Sequence, residues 1–232
     1  MLDIPIIFII IVSYLPSFAW LYFVLSQDIH PEREIDIAKA FILGNVVAVP
    51  VILFAVWGRE ILDIISISLS PTVSNFVYGA FIEEIMKGLF IYWFAISTSR
   101  WDEPIDTFIY AATIALGFAG IENLAFSLKF AANDFNEMQN LLVLRALTTV
   151  LVHIISSFLV TYGIVFWVKK KHIIKGLGLI GAGIFFHGLW NIAIETSRIL
   201  GNGIIGGMYL LICLPVFFGM ILTIKHLKII SK

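Results

Sequence analysis

Charge is scarce in this chain: only 13% of its 232 residues are Asp, Glu, Lys or Arg, and fifteen basic residues nearly balance sixteen acidic ones. No basic run is long enough to neutralise a polynucleotide backbone, so a nucleic-acid partner is not expected. Cysteine is almost absent. The single Cys213 lies in an apolar segment, which excludes an intrachain disulfide and any paired-thiol metal or redox centre. HExxH does not occur, and none of the histidine pairs has local ligand spacing. The first apolar segment lacks a basic leader and a small-residue cleavage pattern, so it reads as a retained span and not a signal peptide.

Apolar residues fill the space left by charge. They make up 60% of the chain, with a mean hydropathy of +0.99, far from the balance of a soluble domain. The expected fold is an all-α polytopic membrane helix bundle. A spanning helix needs roughly 20 mostly apolar residues, and about seven stretches qualify: 4–25, 37–57, 76–97, 105–128, 141–168, 173–195 and 203–224. The connections are short, so residues 1–232 form one membrane domain. The half-apolar connection REILDIISISLSPTVSN predicts an interfacial helix ending at Pro71. With the N-terminus outside, ten Lys and Arg (Arg33, Lys39, Arg100, Lys169, Lys170, Lys171, Lys175, Lys225, Lys228, Lys232) fall on the cytoplasmic side, against three (Arg59, Lys129, Arg198) outside. That asymmetry predicts N-out, C-in and an odd number of spans.

The remaining basic residues, Lys87 and Arg145, lie inside spans, where charge is costly and marks function by default. In the third span Gly79, Ala80, Glu83, Glu84, Lys87 and Gly88 share one helical face, with Glu83 and Lys87 spaced as a favourable i, i+4 ion pair. The fourth span carries Phe118 and Glu122, and the fifth Arg145, Thr149, His153 and Ser156 on one stripe. The sixth has Gly183, His187 and Asn191 at i, i+4 steps. At about 1.5 Å per residue, Glu83, Glu122 and His187 each lie roughly 10 Å below the outer boundary, with His153 somewhat deeper. Four helices thus deliver carboxylates, imidazoles and an amide to one layer, predicting a single site that opens outward. The structural alternatives are a Glu83–Glu84–Lys87 packing seam, a Glu122–Arg145 pair and interhelical histidine bonds. Phe and Trp are expected as lipid-facing bulk and interfacial anchors.

The ordered motifs resemble those of PrsW-type intramembrane proteases over about residues 76–191. Phe81-Ile82-Glu83-Glu84-Ile85-Met86-Lys87 is similar to that family's EExxK, Glu103-Pro104-Ile105-Asp106 to its linker, and Leu116-Gly117-Phe118-Ala119-Gly120-Ile121-Glu122-Asn123 to its GFAxxEN segment. His153 and Phe186-His187-Gly188-Leu189-Trp190-Asn191 match its later histidine motifs. The resemblance extends to CAAX prenyl endopeptidases and Abi proteins, whose motifs read EExxxR, FxxxH and HxxxN. It implies Glu83 as the water-activating glutamate, Glu84 as its neighbour, and His187 with Asn191 on the oxyanion. Glu122 stands where the wider group has histidine.

Hydrolysis of a peptide bond needs an activated water, a proton carrier and an oxyanion donor. The expected catalytic set is Glu83, Glu84, Glu122, His153, His187 and Asn191, supported by Lys87, Phe118 and Arg145. In the preferred reading a buried glutamate activates water and no cofactor is required. The alternative is zinc held among Glu83, Glu122, His153 and His187. The expected enzyme is an endopeptidase of the cell membrane whose partners are the bilayer and a membrane-anchored protein or peptide. The family likeness suggests regulated cleavage of an anti-sigma-factor-like substrate. A proton-coupled transporter is the alternative of another class.

Overall fold

The computed structural model describes residues 5–65, 69–131, 135–200, 215, 218–227 and 229. Among them every regular element is a helix. These are α1 (Ile6–Leu25), α2 (Glu34–Ile64), α3 (71–96), α4 (Asp106–Ala131), α5 (Phe135–Leu147), α6 (149–169), α7 (Ile173–Leu200) and α8 (Phe218–Leu227). Five helical stretches are long and apolar enough to cross a bilayer: Ile6–Leu25, Glu34–Leu62, Asp106–Phe130, Met138–Lys169 and Ile173–Thr196. Together they make the chain an all-α polytopic membrane bundle. The third expected span is present as α3, which carries its charges in mid-helix, whereas most of the seventh, 203–224, lies outside the described residues.

α4 is the axis of the bundle. Every residue from Ile105 to Gly120 is buried, so the helix is enclosed on all sides and reads as apolar throughout this stretch apart from Asp106, Thr107 and Thr113. α2 crosses it at a glycine contact. A Cβ on Gly44 would overlap the Ile114 carbonyl oxygen and stand 2.9 Å from the Gly117 Cα, so the two backbones touch because neither residue has a side chain. Ile6, Ile11, Ile42, Ile52 and many other large apolar side chains face outward, as lipid contact requires.

Two expectations are corrected. The segment after the second span does not form a separate helix ending at Pro71. α2 instead runs on to Ile64, and a new helix begins at Pro71, where the missing N–H and preset φ suit a first turn. The fifth span is also not one continuous stripe. It breaks at Thr148 (φ −127°, ψ −78°), separating Arg145 on α5 from Thr149 and His153 on α6. The break is chemically supported: Thr148 Oγ1 donates to the Leu144 carbonyl at 2.7 Å, and the Trp20 indole donates to the Ala146 carbonyl at 2.8 Å.

Candidate active site

α3 builds the floor of the site. Its backbone winds in wide π turns over Asn75–Phe81 and then tightens to a regular α-helix over Ile82–Ile91. From there Ala80, Glu84, Lys87 and Gly88 are buried, while Phe81 and Leu89 face out, matching the polar face read from the sequence. Lys87 does not pair with Glu83. Its Nζ donates to Glu84 Oε1 at 2.6 Å, with both side chains fully buried. The i, i+3 partner prevails because Glu84 points into the bundle with the lysine, whereas Glu83 turns toward a cavity.

Glu84 is saturated. Oε1 also accepts from His187 Nδ1 at 2.7 Å, and Oε2 accepts from Ser157 Oγ at 2.9 Å. Lys87 reaches onward to His153 Nδ1 at 3.1 Å and sits 4.9 Å from the centre of the Phe118 ring. Phe118 in turn lies edge-on to His153 at 5.5 Å, so it walls the ammonium and orients the imidazole. The His153 and His187 rings stand edge to face, 4.9 Å apart.

On the other side, His153 Nε2 lies 2.8 Å from Glu122 Oε2, which also accepts from Arg145 at 2.8 Å. Arg145 Nε donates to Asn123 Oδ1 at 2.6 Å, and Asn123 Nδ2 to the Ser13 carbonyl at 3.3 Å. The break at Thr148 therefore does not scatter the site: it lets α5 and α6 approach Glu122 from different directions. A continuous chain of polar contacts runs from Arg145 through Glu122, His153, Lys87 and Glu84 to His187.

Glu83 stands at the end of that chain and outside it. Its Oε2 has no hydrogen-bond partner, and the nearest basic atom, His187 Nε2, is 3.8 Å away. With 13% of its side chain exposed, the carboxylate lines a cavity of about 820 Å3. Glu122, Arg145, Thr149, Trp190 and Asn191 line the same cavity. Asn191 lies against Gly79, where a Cβ would come within 2.8 Å of its Nδ2. A side chain at Gly79 would thus push the amide from its place.

The donor set suits a metal. Glu83, His153 and His187 each offer a ligand atom, all within 4.8 Å of one another, and a carboxylate with two imidazoles is a zinc-type set that leaves a position open. The unpartnered Glu83 Oε2 fits that requirement. Glu122, the fourth expected donor, is engaged with Arg145 and His153.

Sequence reading misses Ser157 and gives Asn123 and Trp190, though both lie inside the family-like motifs, no role in the site. Ser157 lies one turn after His153, a spacing that marks it once His153 is suspected. Asn123 follows Glu122 directly. Trp190, expected among lipid-facing tryptophans, is buried and donates its indole N–H to Thr149 Oγ1 at 3.2 Å. Its place inside the Phe186–Asn191 motif is the local signal that sets it apart from Trp93, which is exposed on α3.

Among the described residues, a membrane bundle of helices that pairs its buried charges beside a carboxylate with one unpartnered oxygen defines an intramembrane polar site on apolar scaffolding. The chain belongs to the PrsW family, described as intramembrane metalloproteases, which it matches over residues 34–220. It is 29% identical over 107 residues to Protease PrsW of Geobacillus kaustophilus (strain HTA426), covering 46% of each protein. Against Protease PrsW of Shouchella clausii (strain KSM-K16) it is 24% identical over 118 residues, 50% of this chain and 52% of the relative. Against that of Bacillus subtilis (strain 168) it is 26% identical over 105 residues, 45% of this chain and 46% of the relative. The chain therefore spans about half the length of the curated relatives it matches. No solved structure matches it.

Proposed function

We propose that this protein hydrolyses peptide bonds of membrane-associated proteins, at a site that opens toward the outer face of the cell membrane. The observation that carries the reading is the unpartnered Glu83 carboxylate oxygen on the wall of a cavity, beside charges that are already neutralised. A base must have a free oxygen to receive a proton. Glu84 has none, and Glu122 is held as a charged partner through Oε2 by both Arg145 and His153, whereas Glu83 has no such partner among the described residues.

In the proposed reaction a water molecule bonds to the carbonyl carbon of the substrate as its proton passes to Glu83. The Asn191 amide, on the same cavity wall, donates to the oxyanion that forms. The C–N bond then breaks, and Glu83 returns the proton to the departing amine. Arg145 and Lys87 hold Glu122 and Glu84 as charged partners, so the cluster carries little net charge while Glu83 changes its own. Where zinc is bound, Glu83, His187 and His153 are the residues that would hold it, supplying Lewis-acid polarisation of the scissile carbonyl. The family description and the compact donor set support this metal route beside the cofactor-free one, in which Glu83 stays free to act as the base.

The substrate is a membrane-anchored protein that lays an extended segment in the cavity, with an anti-sigma-factor-like protein as the suggested kind. Glu83→Gln tests the reading in the purified protein. Cleavage of a tethered single-pass reporter is expected to vanish while the folded fraction stays constant; continued cleavage sinks the proposal. Chelation divides the two routes. Loss of cleavage that zinc restores supports the metal route, and full activity in a metal-free sample supports direct activation of water by Glu83.

A further inference from the structure

We infer that Glu84 and Lys87 are positioning residues that hold the two site histidines in opposite tautomers, making His187 a hydrogen-bond acceptor toward Glu83 and leaving His153 no free lone pair. The geometry for His187 is direct. A carboxylate only accepts, and Glu84 Oε1 lies 2.7 Å from His187 Nδ1, so the ring proton sits on Nδ1. The other nitrogen, Nε2, faces Glu83 at 3.8 Å with its lone pair available.

His153 is set the other way. An ammonium only donates, and Lys87 Nζ lies 3.1 Å from His153 Nδ1, so that nitrogen is the acceptor. Nε2 then carries the proton and donates it to Glu122 Oε2 at 2.8 Å. Both nitrogens are occupied. Lys87 spans the two halves because the same Nζ donates to Glu84 Oε1, which keeps Glu84 an acceptor for His187. Ser157 completes Glu84 by donating to Oε2, leaving that carboxylate no freedom to rotate toward the cavity.

Two consequences deepen the peptidase reading and rest on it. First, His187 has no proton on the nitrogen nearest Glu83, so the oxyanion role expected for it passes to Asn191 alone. Second, His187 Nε2 and Glu83 are ready to hold a metal, whereas His153 joins them only by giving up Lys87 or Glu122.

The test is histidine-selective nitrogen NMR on the full chain in lipid nanodiscs, with His153→Gln and His187→Gln variants to assign signals. The wild type should show a protonated Nδ1 and bare Nε2 for His187, and the reverse for His153. Glu84→Gln replaces an acceptor by a group that also donates, so His187 should populate both tautomers. Added zinc should perturb the His187 Nε2 signal at lower concentration than any signal of His153. The same tautomer on both rings in the wild type overturns the inference, as does a His187 tautomer unchanged by Glu84→Gln. If that variant does not fold, the wild-type spectrum alone decides. The cleavage assay is a separate arm: opposite tautomers in a protein that cleaves nothing would sink the peptidase reading and leave this one standing. In an active protein, Asn191→Ala should lower kcat by roughly 100- to 1,000-fold with little change in KM.

Discussion

α4 carries two acidic clusters, one at each end, and they handle charge in different ways. Near its start, Asp106 Oδ2 accepts the backbone N–H groups of Asp102 and Glu103 at 3.0 and 2.7 Å, and Tyr110 donates to Glu32 Oε2 at 2.6 Å. Glu103 takes His30, whose side chain is 59% exposed. Sixteen residues along, about 24 Å at a helical rise, Glu122 is met by a guanidinium and an imidazole. The loop cluster neutralises its acids with backbone dipoles, a phenol and solvent. Deep in the bundle the protein supplies a full cation for the fully buried Glu84, where no water shell can do it, and another for Glu122 on the cavity wall. Against that rule Glu83 stands out, as a carboxylate in the charged layer to which no described lysine or arginine is paired.

The comparison is broken most directly by a matched pair of variants. Glu83 and Glu103 each have one buried carboxylate oxygen without a hydrogen-bond partner. Glu83→Gln should lower cleavage by at least ~100-fold, the usual scale for losing a proton-transfer group, whereas Glu103→Gln should leave turnover unchanged. Equal losses in a reporter assay would remove the distinction between the two ends.

Next in size is the cation rule itself. Lys87→Met strands the Glu84 carboxylate in an apolar interior, and breaking a buried pair in this way costs about 3–5 kcal/mol. Thermal unfolding in detergent should show it as a large drop in Tm. Substituting both residues, Glu84→Gln with Lys87→Met, should recover part of the loss. A double variant no more stable than Lys87→Met would mean that the pair is not the source of the cost.

Helix packing provides a third, smaller effect. Gly44→Ala forces α2 away from the Ile114 carbonyl of α4 and should cost about 1–3 kcal/mol, the usual price of overpacking. Because the crossing also meets the Phe118 backbone, whose ring orients His153, cleavage per folded molecule should fall modestly and far less than in Glu83→Gln.

The smallest effect belongs to the loop end. Burial raises the carboxyls of Asp28 and Glu32 above their ordinary range, so the folded chain holds their protons more tightly than the unfolded chain does. Their contribution therefore weakens stability as pH climbs from about 4, the unfolded value, through the raised folded values. Asp28→Asn with Glu32→Gln should flatten the Tm profile over that interval. A profile unchanged by both substitutions would show that solvent already screens these acids.

Much of the architecture follows from local sequence. Runs of about twenty apolar residues have no stable alternative in lipid to a helix that satisfies its own backbone. The polar face of α3 follows from helical periodicity, and Glu84, Lys87 and Gly88 are buried where that spacing places them. The nearness of Glu122, His153 and His187 could be read from their places along antiparallel helices, since depth depends only on residue count and rise.

Tertiary structure decided which of these groups meet. Sequence spacing favoured Glu83 as the partner of Lys87, yet Glu84 holds it, because hydrogen bonds from His187 on α7 and Ser157 on α6 converge on the deeper carboxylate. The break at Thr148 depends on the Trp20 indole of α1 reaching a freed carbonyl 126 residues away. Periodicity tells which face of a helix is polar and how deep each group lies. Which carboxylate is neutralised and which is left free depends on the rotation and approach of neighbouring helices, and those are set by packing across the whole bundle.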